Sequence, residues 1–328
     1  MYFLLRGVLM CGIAGFCSFD QDFLQDAGTW KQVLVSMRTA IAHRGHDQTG
    51  EYLQRHIGLS HTRLSIRDLA GGVQPMLRRR GEAQYGIVYN GEIYNADELK
   101  RDLVCRGYSF ETTCDTEVIL CGHIEYGMDV AKKLNGIYAF AIWDGARETL
   151  FLCRDRMGVK PLFYSVTDNT LVFGSEPKAL FAHPLIHPQA DLDSFREIFG
   201  LGPARTPGCG VFCGLKEVKP GCVLEYSRER VREYPYWVLE ARPHTDSYAQ
   251  TVETVSWLLR DAVKRQLVSD VPVCSFLSGG IDSTVVTAIA CRQLEQQGVT
   301  LNTFSFDFTH NDTCFQSNAF QPTRDRPY

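Results

Sequence analysis

The sequence has no stretch of about 18 or more consecutive apolar residues, so nothing in it reads as a membrane-spanning helix; its longest candidate, 137–143, is strand-sized. Charge of one sign is also missing. Lys and Arg number 34 against 38 Asp and Glu, a net charge of −4, which gives no electrostatic footprint for wrapping nucleic acid. No Gly-Lys-Ser/Thr follows any glycine loop, which excludes a Walker A site, and the absence of Gly-x-Gly-x-x-Gly disfavours dinucleotide binding. Internal repeats and low-complexity stretches are absent. Twelve cysteines are present, but their spacing makes no disulfide framework. Cys17, Cys153 and Cys274 fall in strand-like text, as buried thiols do, and Cys105, Cys114 and Cys121 in helix-like or loop text. Cys209, Cys213 and Cys222 cluster without a second Cys-x-x-Cys or a neighbouring His, so no metal site is expected there. A reducing, cytoplasmic compartment fits this usage.

What is present is an ordinary globular balance, 45% hydrophobic and 22% charged over 328 residues, enough for two domains at about 100–200 residues each. The first ten residues are apolar but split by Arg6, with no basic start, so they make a poor secretory signal. A lipid-anchored Cys11 would want a small residue before it, and Met10 is not small. Residues 1–10 are therefore expected to be an extension that is spurious or removed, with Met10 as the true start.

From Cys11 the pattern becomes structural. A glycine-containing strand is followed by a helical stripe, Trp30, Val33, Leu34, Met37 and Ile41. Strands are expected at 57–66 and 85–89, a helix from Asn95 with Glu98 as capping-box partner, and another helix over 115–126. Short strands follow at 137–143, 149–153, 162–165 and 170–173. The first half thus reads as a two-sheet, helix-covered α+β architecture. Gly- and Pro-rich text at 200–220 marks a boundary. Beyond it come an amphipathic helix, from Val252 to Leu267, and a compact unit: strand 272–277, the turn Ser278-Gly279-Gly280, helix 282–297 and strand 301–308. That order is a βαβ crossover and predicts a parallel sheet. One such unit cannot cover both faces of a parallel sheet, so the second domain is expected to be incomplete at 328.

Ser278-Gly279-Gly280-Ile281-Asp282-Ser283 sits at a strand-to-helix turn. Two glycines let the backbone approach an anion, the helix start supplies free N–H groups, and Ser278 and Ser283 add hydroxyl donors. Asp282 could hold a metal ion.

At these residues the chain resembles the PP-loop (SGGxDS) of ATP pyrophosphatases. Its first half resembles class II glutamine amidotransferases. The motifs are Cys11-Gly12-Ile13-Ala14-Gly15, His43-Arg44-Gly45 with Asp47, Arg63-Leu64-Ser65-Ile66, Asn90-Gly91-Glu92-Ile93-Tyr94-Asn95, Asp115-Thr116-Glu117, and Arg154-Asp155-Arg156 to Lys160-Pro161. In this order the two halves resemble the glutamine-hydrolysing asparagine synthetases. The resemblance implies an Ntn-hydrolase αββα sandwich at 11–205, a linker with boundary strands at 206–240, and the start of an α/β PP-loop ATP-binding domain at 241–328.

The resemblance also implies roles. Cys11 would be the nucleophile, with its own α-amine as base. Such an amine has a pKa of about 7.7–8.0, so part of it is neutral near pH 7, but only if Met10 is absent. Asn90 and Gly91 would form the oxyanion hole. Arg63 would pair with the glutamine α-carboxylate and Asp115 with its α-ammonium, with Leu64, Ser65, Ile66 and Glu92 in the same binding set. Leu277, Ser278, Gly279, Gly280, Asp282, Ser283 and Phe306 would contact ATP, with Mg at Asp282. The implied partners are glutamine, aspartate and ATP, in a homodimer, with ammonia passed through an internal tunnel. His46 departs from the family, which has proline there. Two alternatives stay open: another carboxylate as acceptor, or an acylated Cys11 on a non-enzymatic lipoprotein. The resemblance further leads to the expectation of glutamine hydrolysis without ATP-dependent product from residues 11–328.

Overall fold

The computed structural model describes residues 10–69, 71–202, 204–306 and 311–317. The chain divides into two compact units, the first ending at Glu240 and the second beginning at Ala241. Among the described residues no helix is long and apolar enough to cross a membrane.

The first unit opens with β1 (Gly12–Ser18), α1 (Ala27–Ala40), β2 (Gln48–Leu53), β3 (Ile57–Arg63), β4 (Met76–Arg80), β5 (Ala83–Ile93), α2 (Ala96–Cys105) and α3 (Asp115–Tyr126). It continues with β6 (Gly136–Asp144), β7 (Thr149–Arg154), β8 (Phe163–Thr167), β9 (Thr170–Gly174), α4 (Pro177–Phe181), α5 (Leu192–Leu201), β10 (Lys216–Glu217), β11 (Cys222–Tyr226) and β12 (Val231–Pro235). These strands make two antiparallel sheets of six, in the orders β10-β8-β9-β1-β3-β2 and β12-β11-β7-β6-β5-β4.

Side-chain alternation stacks the layers. Ile13 and Cys17 of β1 join Val88, Ala139, Ala141 and Leu152 in a core between the sheets. Ala14 and Phe16, on the other face of β1, pack with Leu34 and Met37 of α1 and Leu180 of α4. The outer face of the second sheet, with Ile87, Phe140 and Phe151, is covered by Leu99 and Leu103 of α2 and Val118 and Ile119 of α3. The result is helix, sheet, sheet, helix. It explains why β1 is buried along its whole length: both of its faces are covered, so it reads as continuous apolar text rather than alternation.

The helical stripe expected from Trp30 to Ile41 is α1, capped by Asp26, whose side chain accepts from the Thr29 backbone N–H. The helix expected over 115–126 is α3, which ends at Gly127 with φ +58. Two local expectations fail. Asn95 makes no side-chain cap to α2. Its amide instead donates to the Lys133 carbonyl (2.9 Å) and accepts from the Asn135 backbone N–H (2.8 Å), tying the helix start to the approach of β6. And β5 runs on past 89 to Ile93, because β6 pairs with it along its length, including Asn90 with Ala139 and Gly91 with Tyr138. The segment 206–240, read from sequence as linker and boundary strands, carries β10, β11 and β12, which extend the edges of both sheets.

In the second unit, α6 (Tyr248–Gln266) begins in a capping box between Ser247 and Gln250. The order β13 (Cys274–Phe276), α7 (Ile281–Glu295), β14 (Asn302–Phe304) follows, and β13 and β14 are parallel, as the crossover pattern requires. A small core joins Val263, Ala290, Leu294 and Leu301. Cys274, expected as a buried strand thiol, is exposed, since only alternate residues of β13 turn inward.

At Gly15 of β1 there is no room for a side chain: a Cβ there would lie 2.3 Å from the Gly58 carbonyl and 2.7 Å from the Phe173 ring. Backbone cannot yield as a side-chain tip can. Gly15→Ala is expected to lower stability by about 1–3 kcal/mol, read as a shift of the urea midpoint at constant slope.

Candidate active site

Cys11 immediately precedes β1, the strand paired on one edge with β3 and on the other with β9. The register puts Gly12 opposite Thr62, so Cys11 comes level with the end of β3. There its thiol meets the Leu64 peptide: Sγ accepts from the Leu64 N–H at 3.4 Å and can donate to the Leu64 carbonyl at 3.5 Å. The Cys11 carbonyl accepts from Arg44 Nε at 3.0 Å. Burial pushes the thiol pKa up, opposed by the Leu64 N–H and by the charges of Arg63, Lys160 and Arg44. The resting thiol therefore keeps its proton at neutral pH, and a nucleophilic role for it would require a base.

The loop from Ala42 to Asp47 is locked to the end of β3. The Asp47 N–H donates to the Arg63 carbonyl (3.0 Å), and the Asp47 carboxylate accepts from the Ser65 N–H (2.7 Å). Gly45 lies so close that a Cβ would fall 2.5 Å from the Arg63 backbone. His46 is exposed and leaves this lock intact. Arg63 is buried, and both its Nη atoms are engaged: with the Gln48 side chain and with the carbonyls of Arg67, Asp68 and Leu69. It thereby fixes the turn that carries Ser65 and Ile66, both half-buried.

Asn90, Gly91 and Glu92 lie on β5, which packs across β1. Asn90 is buried, and its side-chain Nδ2 has no hydrogen-bond partner. A buried amide donor left unmet costs about 1–3 kcal/mol, and Asn90 Nδ2 is one of seven such buried atoms among the described residues. Gly91 is needed for clearance, since a Cβ would stand 2.3 Å from the Ile137 carbonyl. Asp115, at the start of α3, accepts from the Tyr89 hydroxyl (2.7 Å) and the Ile93 N–H (2.9 Å), bracketing this strand segment. Its carboxyl pKa is raised by burial, offset first by the Ile93 and Tyr89 hydrogen bonds and then by Arg67, and that of Glu92 is raised by burial and then by the Asp115 charge, partly offset by Arg67.

Three contributors were not legible beforehand. His61 is fully buried and donates from Nε2 to the Tyr89 carbonyl (3.1 Å), joining the two sheets one residue before Asn90; burial holds its pKa down to about 3. Lys160 is buried, which lowers the pKa of its ammonium, partly offset by the Glu92 carboxylate, and Met10 Sδ lies 2.8 Å from Nζ. Arg67, not Arg63, is the cation acting on both Glu92 and Asp115. Only Lys160 had a signal, as the end of a quoted motif.

In the second unit, Leu277 follows β13 and Phe306 lies two residues past β14. The parallel pairing brings both to the carboxyl ends of their strands, where ligands of open α/β sheets bind. The Leu277 carbonyl accepts from the Ser305 hydroxyl at 2.7 Å. Gly279 has φ +77, a conformation that glycine alone adopts readily, and Gly280 is the N-cap of α7. The Ser278 and Ser283 hydroxyls meet at 3.1 Å. Phe306 is largely exposed. Asp282 is a single exposed carboxylate. That donor set suits a magnesium ion carried mostly by nucleotide phosphates, which takes one or two protein carboxylates. Among the described residues no three His, Cys, Asp or Glu side chains converge on one point.

A family profile for the glutamine amidotransferase domain matches residues 10–237, and one for asparagine synthase matches 254–323. The chain is 46% identical over 97% of its length to asparagine synthetase [glutamine-hydrolyzing] 3 of Bacillus subtilis, covering 52% of that protein. It is 34% identical to Amidase chry2 of Gibberella zeae over 88% of its length, covering 44% of that protein. The chain thus spans about half the length of the curated relatives it matches. The solved structure of the allosteric regulatory enzyme of purine biosynthesis superposes with a TM-score of 0.50 at 18% identity, covering 95% of this chain and 69% of that one, a likeness of fold.

A raised thiol pKa dictates a pH profile. Carbamidomethylation of Cys11, followed by peptide mass spectrometry, is expected to keep accelerating as pH rises through and beyond 9. A plateau reached below pH 8 would contradict the buried, protonated thiol.

Proposed function

The chain belongs to the glutamine amidotransferase family, with an asparagine-synthase segment after it, and from that premise we propose that it releases ammonia from glutamine to amidate an ATP-activated aspartate. The observation that carries this reading is Asn90 Nδ2, a buried donor without a partner, on the strand that packs across the one bearing Cys11.

Cys11 Sγ attacks the side-chain amide carbon of glutamine. Its proton passes to the Cys11 α-amine, which requires that no peptide bond to Met10 remain, and from there to the departing nitrogen, which leaves as ammonia. Asn90 Nδ2 and the Gly91 N–H receive the oxyanion of the tetrahedral intermediate. Water then attacks the thioester, giving glutamate and restoring the thiol. Asp115 pairs with the α-ammonium of glutamine, and Glu92 adds negative charge beside it. Arg63 exchanges part of its carbonyl set for the α-carboxylate, because a charged acceptor outbids neutral ones. Leu64, Ser65 and Ile66 line the same pocket.

In the second unit, Ser278–Ser283 cradles the phosphates of ATP, with Leu277 and Phe306 against the nucleotide and Asp282 as a ligand to the magnesium it brings, which neutralises phosphate charge. The aspartate side-chain carboxylate attacks the α-phosphate, pyrophosphate leaves, and ammonia displaces AMP from the acyl-adenylate to give asparagine. A cytoplasmic homodimer fits this reading. A second reading changes only the acceptor carboxylate, and the similarity to Amidase chry2 favours keeping it. Product analysis of a chain extended to the full length of its relatives, with aspartate as the sole added carboxylate, separates the two.

Protein whose mature first residue is Cys11, verified by intact mass, is expected to release glutamate from glutamine, and protein retaining Met10 is not. Cys11→Ser should abolish release. Asn90→Ala should lower kcat about 10²–10³-fold while leaving stability within about 1 kcal/mol, because the lost amide made no bond in the resting fold. Full turnover by Cys11→Ser would sink the assignment.

A further inference from the structure

We propose that Glu176 is a positioning residue for Cys11, acting through Arg44. The inference rests on Cys11 being the nucleophile and adds the device that aims it.

Cys11 lies just outside β1, so the strand's own ladder does not fix it. What fixes it from the other side is Arg44, whose Nε donates to the Cys11 carbonyl at 3.0 Å while Nη1 donates to Glu176 at 2.8 Å. The guanidinium is nearly buried, with a side chain 9% exposed. A buried cation keeps one orientation only if a counter-charge and hydrogen bonds hold it.

Glu176 is itself held. His43 Nε2 and Lys178 Nζ each approach its carboxylate at 2.9 Å. Burial alone would raise its pKa, yet hydrogen bonds from Arg44 and Lys178, with the charges of Arg44 and His43, hold it down to about 2. It stays ionised through any pH at which the enzyme works. Its neighbour Ser175 grips the same strand: Ser175 Oγ accepts from the Ile13 N–H (3.0 Å) and the Ser175 N–H donates to the Ile13 carbonyl (2.9 Å). The dipeptide at the end of β9 thus clamps β1 at residue 13 directly and at residue 11 through Arg44.

This clamp bears on chemistry as well as on folding. In a terminal cysteine that is both nucleophile and base, thiol and amine hang on one Cα, and nothing precedes that Cα in the chain. Fixing the peptide plane between residues 11 and 12 is what aims both groups. Glutamine contacts neither Arg44 nor Glu176 in the proposed complex, so loosening the clamp should slow attack without weakening binding.

The test uses chain whose first residue is Cys11, assayed for glutamate release. Glu176→Gln, nearly isosteric but neutral, is expected to lower kcat about 10- to 100-fold with KM changed less than about twofold. Asp193→Asn, which breaks an exposed ion pair with Arg196 outside the clamp, should stay within about twofold of wild type. In an Arg44→Lys background, Glu176→Gln should cost little more, since both changes break one chain of contacts. Should Glu176→Gln fail to fold, Glu176→Asp, charged but one methylene short, takes the same kcat test. Unchanged kcat in the folded variant, a rise in KM alone, or full additivity with Arg44→Lys would overturn the inference. Wild-type chain without glutaminase activity, or activity surviving Cys11→Ser, would instead overturn the reading on which it rests.

Discussion

The site depends on β1 being hydrogen-bonded along both edges. A strand flanked by β3 and β9 has its register fixed twice over, and a one-residue slip would turn Ile13 and Cys17 out of the inter-sheet core and bring Ala14 and Phe16 in. Cys11 inherits that certainty at one remove. It meets the Leu64 peptide because Gly12 faces Thr62, and its carbonyl meets Arg44 because the Ala42–Asp47 loop is tied to the end of β3. The glycines around it serve close approach: Gly12 against Thr62, Gly45 against Arg63, Gly91 against Ile137.

Local signals carried a large part of the fold. The α1 stripe and the ends of α3 were legible because helical period, a leading acid and a glycine stop act within a few residues of each other. So was the crossover order of the second unit. The length of β5 was not, because its last residues are a strand only by virtue of pairing with β6. Asn95 shows the same failure in miniature: its sequence neighbours suit a cap, but backbone groups about 40 residues away use its amide.

The candidate site was legible where motif text carried it and silent where partners came from afar. His61 reaches a carbonyl 28 residues on, and Arg44 reaches a carboxylate 132 residues on. No spacing rule links such pairs, since the sheet order alone brings them together. Arg63 illustrates the converse. Its position was readable, but its present bonds to the 67–69 carbonyls depend on a turn whose shape no periodicity encodes.

The protonated thiol and the unmet amide belong to one argument. A thiolate already formed in this buried place would bear a desolvation cost in the resting state and would draw nearby donors toward itself. Burial keeps Cys11 neutral, so in the reaction proposed above the negative charge would appear only during attack, first at sulfur and then at the former carbonyl oxygen. Asn90 Nδ2 has no partner in the resting fold, and in the proposed role a donor with no ground-state partner would give up nothing when an oxyanion formed. The strain of leaving it unmet is borne by a fold whose two sheets are pinned at His61 and Tyr89, one residue away.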